Sequence, residues 1–312
     1  MPRFSIVITC YNQGDFIKEA VDSALAQNCR DREIIVVDDG STDGSRQLLK
    51  TYANAITLET VEVNGGAVAA RNRGAAIARG DYLVFLDGDD RLQPSALDVY
   101  ASVADRKSPK LILARMLFFR GSLVTERTEK QPSEIKLVEY EDYFSKNRAY
   151  RASASAMVIE RQAFHLVGGW SAGTFPADDQ DLLFKLGCAG RTIQILSPET
   201  SAYRLHETNT TRHLLPLVNA LYCLLAREKN GDYPGGRNRR FERRAVIGGF
   251  VFYMVKQTWL NRLRGQSLAL LAAGWPMIAA AIMRKSVARL TWQNRLPEER
   301  YALGKTMPIR TE

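Results

Sequence analysis

Three apolar runs organise the first part of the chain: Ser5-Ile6-Val7-Ile8-Thr9, Glu33-Ile34-Ile35-Val36-Val37 and Tyr82-Leu83-Val84-Phe85-Leu86. None alternates with polar residues, the pattern of strands covered on both faces, and each stops at a polar cluster. Between them, Phe16, Ile17, Ala20, Val21 and Ala24 recur at helical spacing, with Asp15 placed to cap the helix. Further helices are predicted at 45–52 and 67–78, and a weaker strand at 56–63. Beyond Pro94 the pattern loosens. Strands are predicted at 111–119, 155–159, 192–196 and 202–205, helices at 161–166 and 181–187, and a loop with a short helix at 135–144. The remainder reads as three helices, 214–227, 241–263 and 267–283. Strands alternating with helices imply an α/β fold, Rossmann-like, with a mostly parallel sheet, helices on both faces and a C-terminal helical extension. Ligands bind such sheets outside the carboxyl ends of the strands. Here those ends carry residues 9–12, 38–39 and 87–90.

Composition adds little to this picture, but charge changes it. With 46% apolar and 25% charged residues the chain can build an ordinary core. Cys10, Cys29, Cys188 and Cys223 have no paired spacing, which argues for reduced thiols rather than a disulfide framework or a zinc site. The start, Met1-Pro2-Arg3-Phe4, leaves no room for a signal peptide, so a cytoplasmic protein is expected. The net charge of +9 divides unevenly. After residue 211 there are 18 Lys/Arg against 6 Asp/Glu; the totals of 43 and 34 leave 25 against 28 before it. A domain boundary is therefore expected there, with an acidic catalytic domain at 1–211 and a basic helical region at 212–312. That basic region faces something anionic. Residues 268–283 lack charge, but they number fewer than the ~20 a spanning helix needs and contain Pro276. Helices packed on the domain or on a second copy (a homodimer), or lying in an anionic membrane interface at the inner face of the cytoplasmic membrane, are the readings left open. A nucleic-acid-binding protein is the alternative that the basic charge suggests. The acidic front of the chain and the lack of a nucleic-acid motif count against it.

The candidate chemistry lies at the strand ends. Asp87-Gly88-Asp89 closes one strand, and its i, i+2 spacing puts both carboxylates on one side of an extended backbone. Hard cations such as Mg²⁺ and Mn²⁺ take carboxylate oxygens, and Gly88 would let the chain turn close to a ligand. The same residues also suit a solvated acidic turn. Asp38-Asp39 at a neighbouring strand end would repel this cluster unless a cation or ligand hydrogen bonds occupied the gap.

In series, Ser5-Ile6-Val7-Ile8-Thr9-Cys10-Tyr11-Asn12, Val36-Val37-Asp38-Asp39-Gly40-Ser41, Ala70-Arg71-Asn72-Arg73-Gly74 and Gly80 through Asp90 resemble the motifs of family-2 glycosyltransferases with the GT-A fold. The resemblance covers about residues 3–211 and departs at Thr9-Cys10, where the family usually has Pro-Thr. It implies an inverting transferase that moves one sugar from a nucleotide-sugar donor, UDP-linked, to a glycan or lipid-linked acceptor, using Mn²⁺ or Mg²⁺. By position, Thr9 and Tyr11 would line the base and Asp39 would accept from its ring nitrogen. Arg71 would sit by the nucleotide, with a surface ion pair as the plainer role. Asp87 would lie near ribose and metal, Asp89 would bind the metal, and His206 would reach the metal or pyrophosphate. Phe175-Pro176-Ala177-Asp178-Asp179-Gln180-Asp181 resembles the family's acceptor motif, with Asp179 as general base and Asp178 or Asp181 free to cap the following helix. A sugar-nucleotide nucleotidyltransferase uses related sheets, but the first loop lacks the Gly-rich basic stretch that grips a triphosphate. No Gln-x-x-Arg-Trp sequence is present, so a processive synthase is not expected.

Overall fold

The three apolar runs lie side by side in the parallel half of one sheet. β1 (Phe4–Cys10) pairs in parallel with β2 (Arg32–Asp39) on one side and β4 (Tyr82–Asp87) on the other, and β3 (Thr57–Val61) extends the parallel set beyond β2. The computed structural model describes residues 2–121, 132–145, 153–207, 209, 213–290 and 298–303. Every residue of β1 is buried, so both faces of the strand are covered. One cover is α3 (Ala67–Ile77). Its Gly74 approaches so closely that an added Cβ would stand 2.4 Å from Val7 Cγ1. On the helix that follows β1, α1 (Ile17–Leu25), residues Ile17, Ala20, Val21 and Ala24 are buried as the spacing predicts. Asp15 does not cap it: Phe16 holds the cap position, without a side-chain bond. α2 (Ser45–Lys50) follows β2.

The other half of the sheet is mixed, and its strands are less legible in the sequence. β6 (Leu111–Phe119) and β9 (Thr192–Arg204) run parallel, while β8 (Met157–Glu160) is antiparallel to both β4 and β6. The two strands expected at 192–196 and 202–205 are one strand. Pro198 would ordinarily interrupt a ladder, but β9 residues 195–198 fall in a register shift against β6, so the missing N–H breaks no bond on that side. Residues expected as a loop and short helix at 135–144 include β7 (Glu134–Tyr140), antiparallel to β9, and β10 (Glu299–Ala302) pairs onto its outer edge. β5 (Arg91–Leu92) adds two residues against β9. α4 (Ala96–Lys107), which the looser pattern does not reveal, is fixed by burial of Leu97, Tyr100 and Ala104 and by Tyr100 donating to Thr200 Oγ1 at 2.7 Å. α5 (Arg161–Leu166) and α6 (Asp178–Lys185) follow β8.

Three helices follow β9: α7 (Leu214–Asn230), α8 (Arg240–Leu260) and α9 (Arg264–Leu290). α8 and α9 form an antiparallel hairpin. A Cβ on Gly248 would strike the Met277 carbonyl, and one on Gly274 would strike Val251. α9 runs through Pro276 and, by length and composition alone, is long enough to cross a membrane. Ion pairs and a tyrosine hydrogen bond from α7 and the α7–α8 connection join this region to the preceding chain. Arg227 and Tyr233 reach Asp181 on α6, and Arg239 grips Asp142 through both guanidinium nitrogens at 2.7 and 2.9 Å. The expected boundary at residue 211 lies outside the described residues.

Candidate active site

β1 lies between β2 and β4, so the chain leaves it toward one side first and returns to the other side later. The loops after β1 and β4 therefore diverge, and a crevice opens at that point. The cleft has a volume of about 620 Å³, and Thr9, Tyr11, Asp39, Arg71, Asp87, Asp89, Asp179 and His206 all line it. Eight residues expected from six separate stretches thus meet in one place. The acidic clusters ending β2 and β4 are not neighbours, because β1 intervenes, and their charges are met locally rather than by one shared cation.

On the β2 side, Asp38 is buried and accepts from Arg46 Nε at 2.7 Å. Asp39 accepts from the backbone amides of Gly65 and Gly66 at 3.0 and 2.7 Å. These bonds fix the direction of its carboxylate and leave lone pairs for a ligand. Thr9 is buried at the floor of the cleft, and Tyr11 stands 47% exposed at its edge.

Arg71 is not a surface ion pair. Only 6% exposed, it donates to Asp87 Oδ1 at 2.7 Å and to Asp178 Oδ2 at 2.5 Å, and its guanidinium lies over Trp170, 4.8 Å from the ring centroid. Burial works against its charge, but Asp87 and Asp178 outweigh it and raise its pKa. One cation thus ties the end of β4 to the start of α6. Asp178 is spent on this bridge and Asp181 on Tyr233 and Arg227, so neither caps α6; Ala177 holds that position. Three aspartates in the first turn still suit the positive end of the helix dipole. Asp179 keeps a partial opening to the cleft and accepts from Gln180 N at 2.7 Å. Loss of solvent around it, and then the charge of Asp178, push its carboxyl up to about 7.

At the end of β4, Gly88 serves packing rather than ligand approach. A Cβ there would stand 2.1 Å from Gln13 Oε1 and 2.7 Å from the Thr9 carbonyl. Asp89 Oδ2 lies 2.8 Å from His206 Nε2. Burial and then Asp87 raise the Asp89 carboxyl, with the His206 contact opposing. His206 is set by the chain around it: its amide donates to Asn209 Oδ1 at 2.6 Å, and Phe16 packs on its ring at 4.9 Å. Arg204, two residues earlier, donates to the Asp89 carbonyl at 3.0 Å and to Glu19 at 2.6 Å, between the rings of Phe16 and Phe119. Asp90 faces inward, accepting from Arg204 N at 3.0 Å, and burial raises its carboxyl well above the usual range. Nothing in the sequence singles out Trp170, Arg204 and Asn209 as supports, because each acts through a partner distant in the chain or through a loop without a regular pattern.

Among the described residues no three His, Cys, Asp or Glu side chains converge on one point. Two donors, Asp89 and His206, are in contact. That number suits Mg²⁺ or Mn²⁺ held by one or two protein groups and otherwise by substrate phosphates and water.

The sequence profile of glycosyl transferase family 2 matches residues 5–167, from β1 into the helix after β8. The chain belongs to this family. A poly(ribitol-phosphate) beta-glucosyltransferase of Bacillus spizizenii is 33% identical over 150 residues, 46% of this chain and 24% of that one. A cholesterol galactosyltransferase of Borreliella burgdorferi is 27% identical over 42% of this chain and 37% of that one, so the matches span well under half of these two relatives. The S. aureus TarS 1–349 structure in complex with UDP-GlcNAc superposes with a TM-score of 0.68 at 19% identity, covering 90% of this chain and 81% of that one. The mannosyltransferase PcManGT of Pyrobaculum calidifontis, in complex with GDP-Man and Mn²⁺, gives a TM-score of 0.58 at 16% identity, covering 94% and 81%. These likenesses give the chain a GT-A fold.

Proposed function

We propose that this glycosyltransferase moves one sugar, with inversion, from a UDP-sugar to a hydroxyl of a glycan or lipid-linked acceptor in cell-surface polysaccharide or glycoconjugate synthesis. The observation that carries the proposal is the cleft itself. A carboxylate near pKa 7, Asp179, and an Asp89–His206 donor pair line the same crevice as the strand-end residues Thr9, Tyr11 and Asp39. The relatives' acceptors, a ribitol-phosphate polymer and a sterol, support a polymer or lipid acceptor. The UDP-GlcNAc bound by TarS supports the donor, and the Mn²⁺ in PcManGT supports the cation.

Thr9 and Tyr11 receive the base, and Asp39, already oriented by two amides, accepts from it. Asp89 and His206 would hold a divalent cation, which neutralises charge on the departing diphosphate. Asp179 takes the proton of the acceptor hydroxyl as that oxygen bonds to the anomeric carbon. The bond from that carbon to the diphosphate oxygen breaks on the opposite face, and the nucleoside diphosphate leaves. A base near pKa 7 is matched to neutral pH, being ionised yet basic enough to accept the proton. Arg71 keeps the two halves of the cleft in register through Asp87 and Asp178. The test is a donor screen that detects released nucleotide across UDP-, GDP- and dTDP-sugars. Release confined to UDP-sugars and requiring Mn²⁺ or Mg²⁺ is expected. Release from GDP- or dTDP-sugars alone would overturn the donor assignment.

A further inference from the structure

We infer that the outer face of the α8–α9 hairpin docks on a phospholipid bilayer with anionic head groups, with Trp259 and Trp275 as apolar anchors and Arg262 and Arg264 as charge contacts. Ten of the eighteen large apolar side chains exposed among the described residues belong to these two helices. On α8, Phe252, Tyr253, Trp259 and Leu260 recur at i, i+1, i+7 and i+8, which places them on one face around Lys256. On the first half of α9, Leu268 and Trp275 are exposed seven residues apart, on one side of the helix. Trp259 is 51% and Trp275 58% exposed, a large cost in water for residues whose rings suit the boundary between hydrocarbon and head groups. The turn between the helices carries Arg262, and Arg264 lies 5.6 Å from the Trp259 ring centroid.

Charge decides which partner covers this face. Residues 243–290 contain no Asp or Glu. A two-fold contact with a second copy sets one patch against itself, so it would oppose Lys256, Arg262 and Arg264 with the same residues and supply no acid to neutralise them. An anionic bilayer satisfies both the aromatic rings and the cations. Crossing the bilayer alone would strip α9 of its contacts with α8, since Leu270, Gly274, Met277, Ile278 and Ala281 are buried in the hairpin and Gly274 sits against Val251. Crossing together with α8 would carry Lys256, Arg262 and Arg264 into the hydrocarbon. The hairpin therefore lies on the surface rather than through it. The inference rests on the proposed function only for its purpose, presenting the cleft to a lipid-linked acceptor; the binding itself stands apart.

The experiment is co-sedimentation of the full chain with vesicles of phosphatidylcholine alone or mixed with phosphatidylglycerol, at low and high salt, alongside the oligomeric state and UDP-sugar hydrolysis without vesicles. The full chain is expected to pellet only with the anionic vesicles and to be released by salt. R262Q/R264Q should weaken partition roughly fivefold per charge, and W259S/W275S roughly tenfold per ring. Both variants should keep the thermal midpoint and vesicle-free hydrolysis of the parent, because these side chains are exposed. Equal pelleting with neutral vesicles, pelleting unchanged in both variants, or a dimer that W259S/W275S converts to monomer would each overturn the inference. Absent hydrolysis with intact anionic binding would instead count against the proposed function alone.

Discussion

Asp179→Asn separates stability from catalysis at one position. The carboxyl sits at about 7 instead of 3.8, through burial and then the charge of Asp178. Between pH 4 and 7 the native state therefore holds a proton that the unfolded chain has released, and stability falls as pH rises through that window. A shift of about three units corresponds to ~4 kcal/mol at 1.36 kcal/mol per unit. The opening to cleft water screens part of it, leaving ~2 kcal/mol as the expected penalty above pH 7. Asparagine keeps the shape and the bond to Gln180 N without the charge. Asp179→Asn should melt several degrees above the parent at pH 8 and level with it at pH 4, by calorimetric or fluorescence scans. Transfer should fall by the ~10²–10⁴ of a lost general base, while UDP affinity stays unchanged. In the parent, kcat/KM should rise with pH and level off above about 7. No stabilisation at pH 8, together with retained transfer, would refute both the buried charge and its role.

Asp89→Ala should abolish transfer and weaken Mn²⁺-dependent UDP binding by calorimetry, whereas Asp90→Asn should leave binding intact, because Asp90 faces inward to Arg204. Arg71→Lys keeps the charge but cannot bridge Asp87 and Asp178 while lying flat on Trp170; we expect a lowered thermal midpoint and a loss of kcat exceeding any change in KM for the donor. Tyr233→Phe removes one of two donors to the buried Asp181 carboxylate, at a cost of roughly 1.5–3 kcal/mol for a hydrogen bond to a charged group. Because Asp181 lies two residues from Asp179, the kcat/KM–pH profile should also shift, and an unmoved profile would confine Tyr233 to stability.

The features legible in the sequence are those set by local pattern. The apolar runs of β1, β2 and β4 have little choice but burial, and the strand-end carboxylates follow from where those runs stop. For that reason Thr9, Asp39, Asp87 and Asp89 can be placed on one sheet edge from the order of residues alone. The features that escape such a reading depend on partners far away in the chain. Arg71 reads as one of several helix arginines until Asp178, 107 positions on, comes against it. β9 reads as two strands, yet it is one, and its Pro198 is tolerated because residues 195–198 of β9 bulge out of register with β6. Asp15 has the right residue type for a cap, yet Phe16 occupies that position, against His206 and Arg204.

The positive charge after residue 211 also divides in the folded chain, and the division bears on how the helices act. Arg227 serves Asp181, Arg239 serves Asp142, and Arg243 and Arg244 both serve Glu228. Asp181 and Glu228 have fully buried side chains, and leaving either without its cation would cost several kcal/mol, on the order of 3–5. These arginines are therefore committed to acids of the chain itself and are not available to an anionic surface. Lys256, Arg262, Arg264 and Lys285 on the α8–α9 hairpin are exposed, as are Lys229, Arg237, Arg240 and Arg300. One stretch of basic sequence thus does two things: its first part ties the chain to itself, with Arg227 reaching the helix that carries Asp179, and its second part presents cations beside exposed aromatic rings. Removing everything after residue 211 would delete both at once. Loss of activity in such a truncation would say nothing about membrane attachment, because Asp181 would lose Tyr233 and Arg227 together.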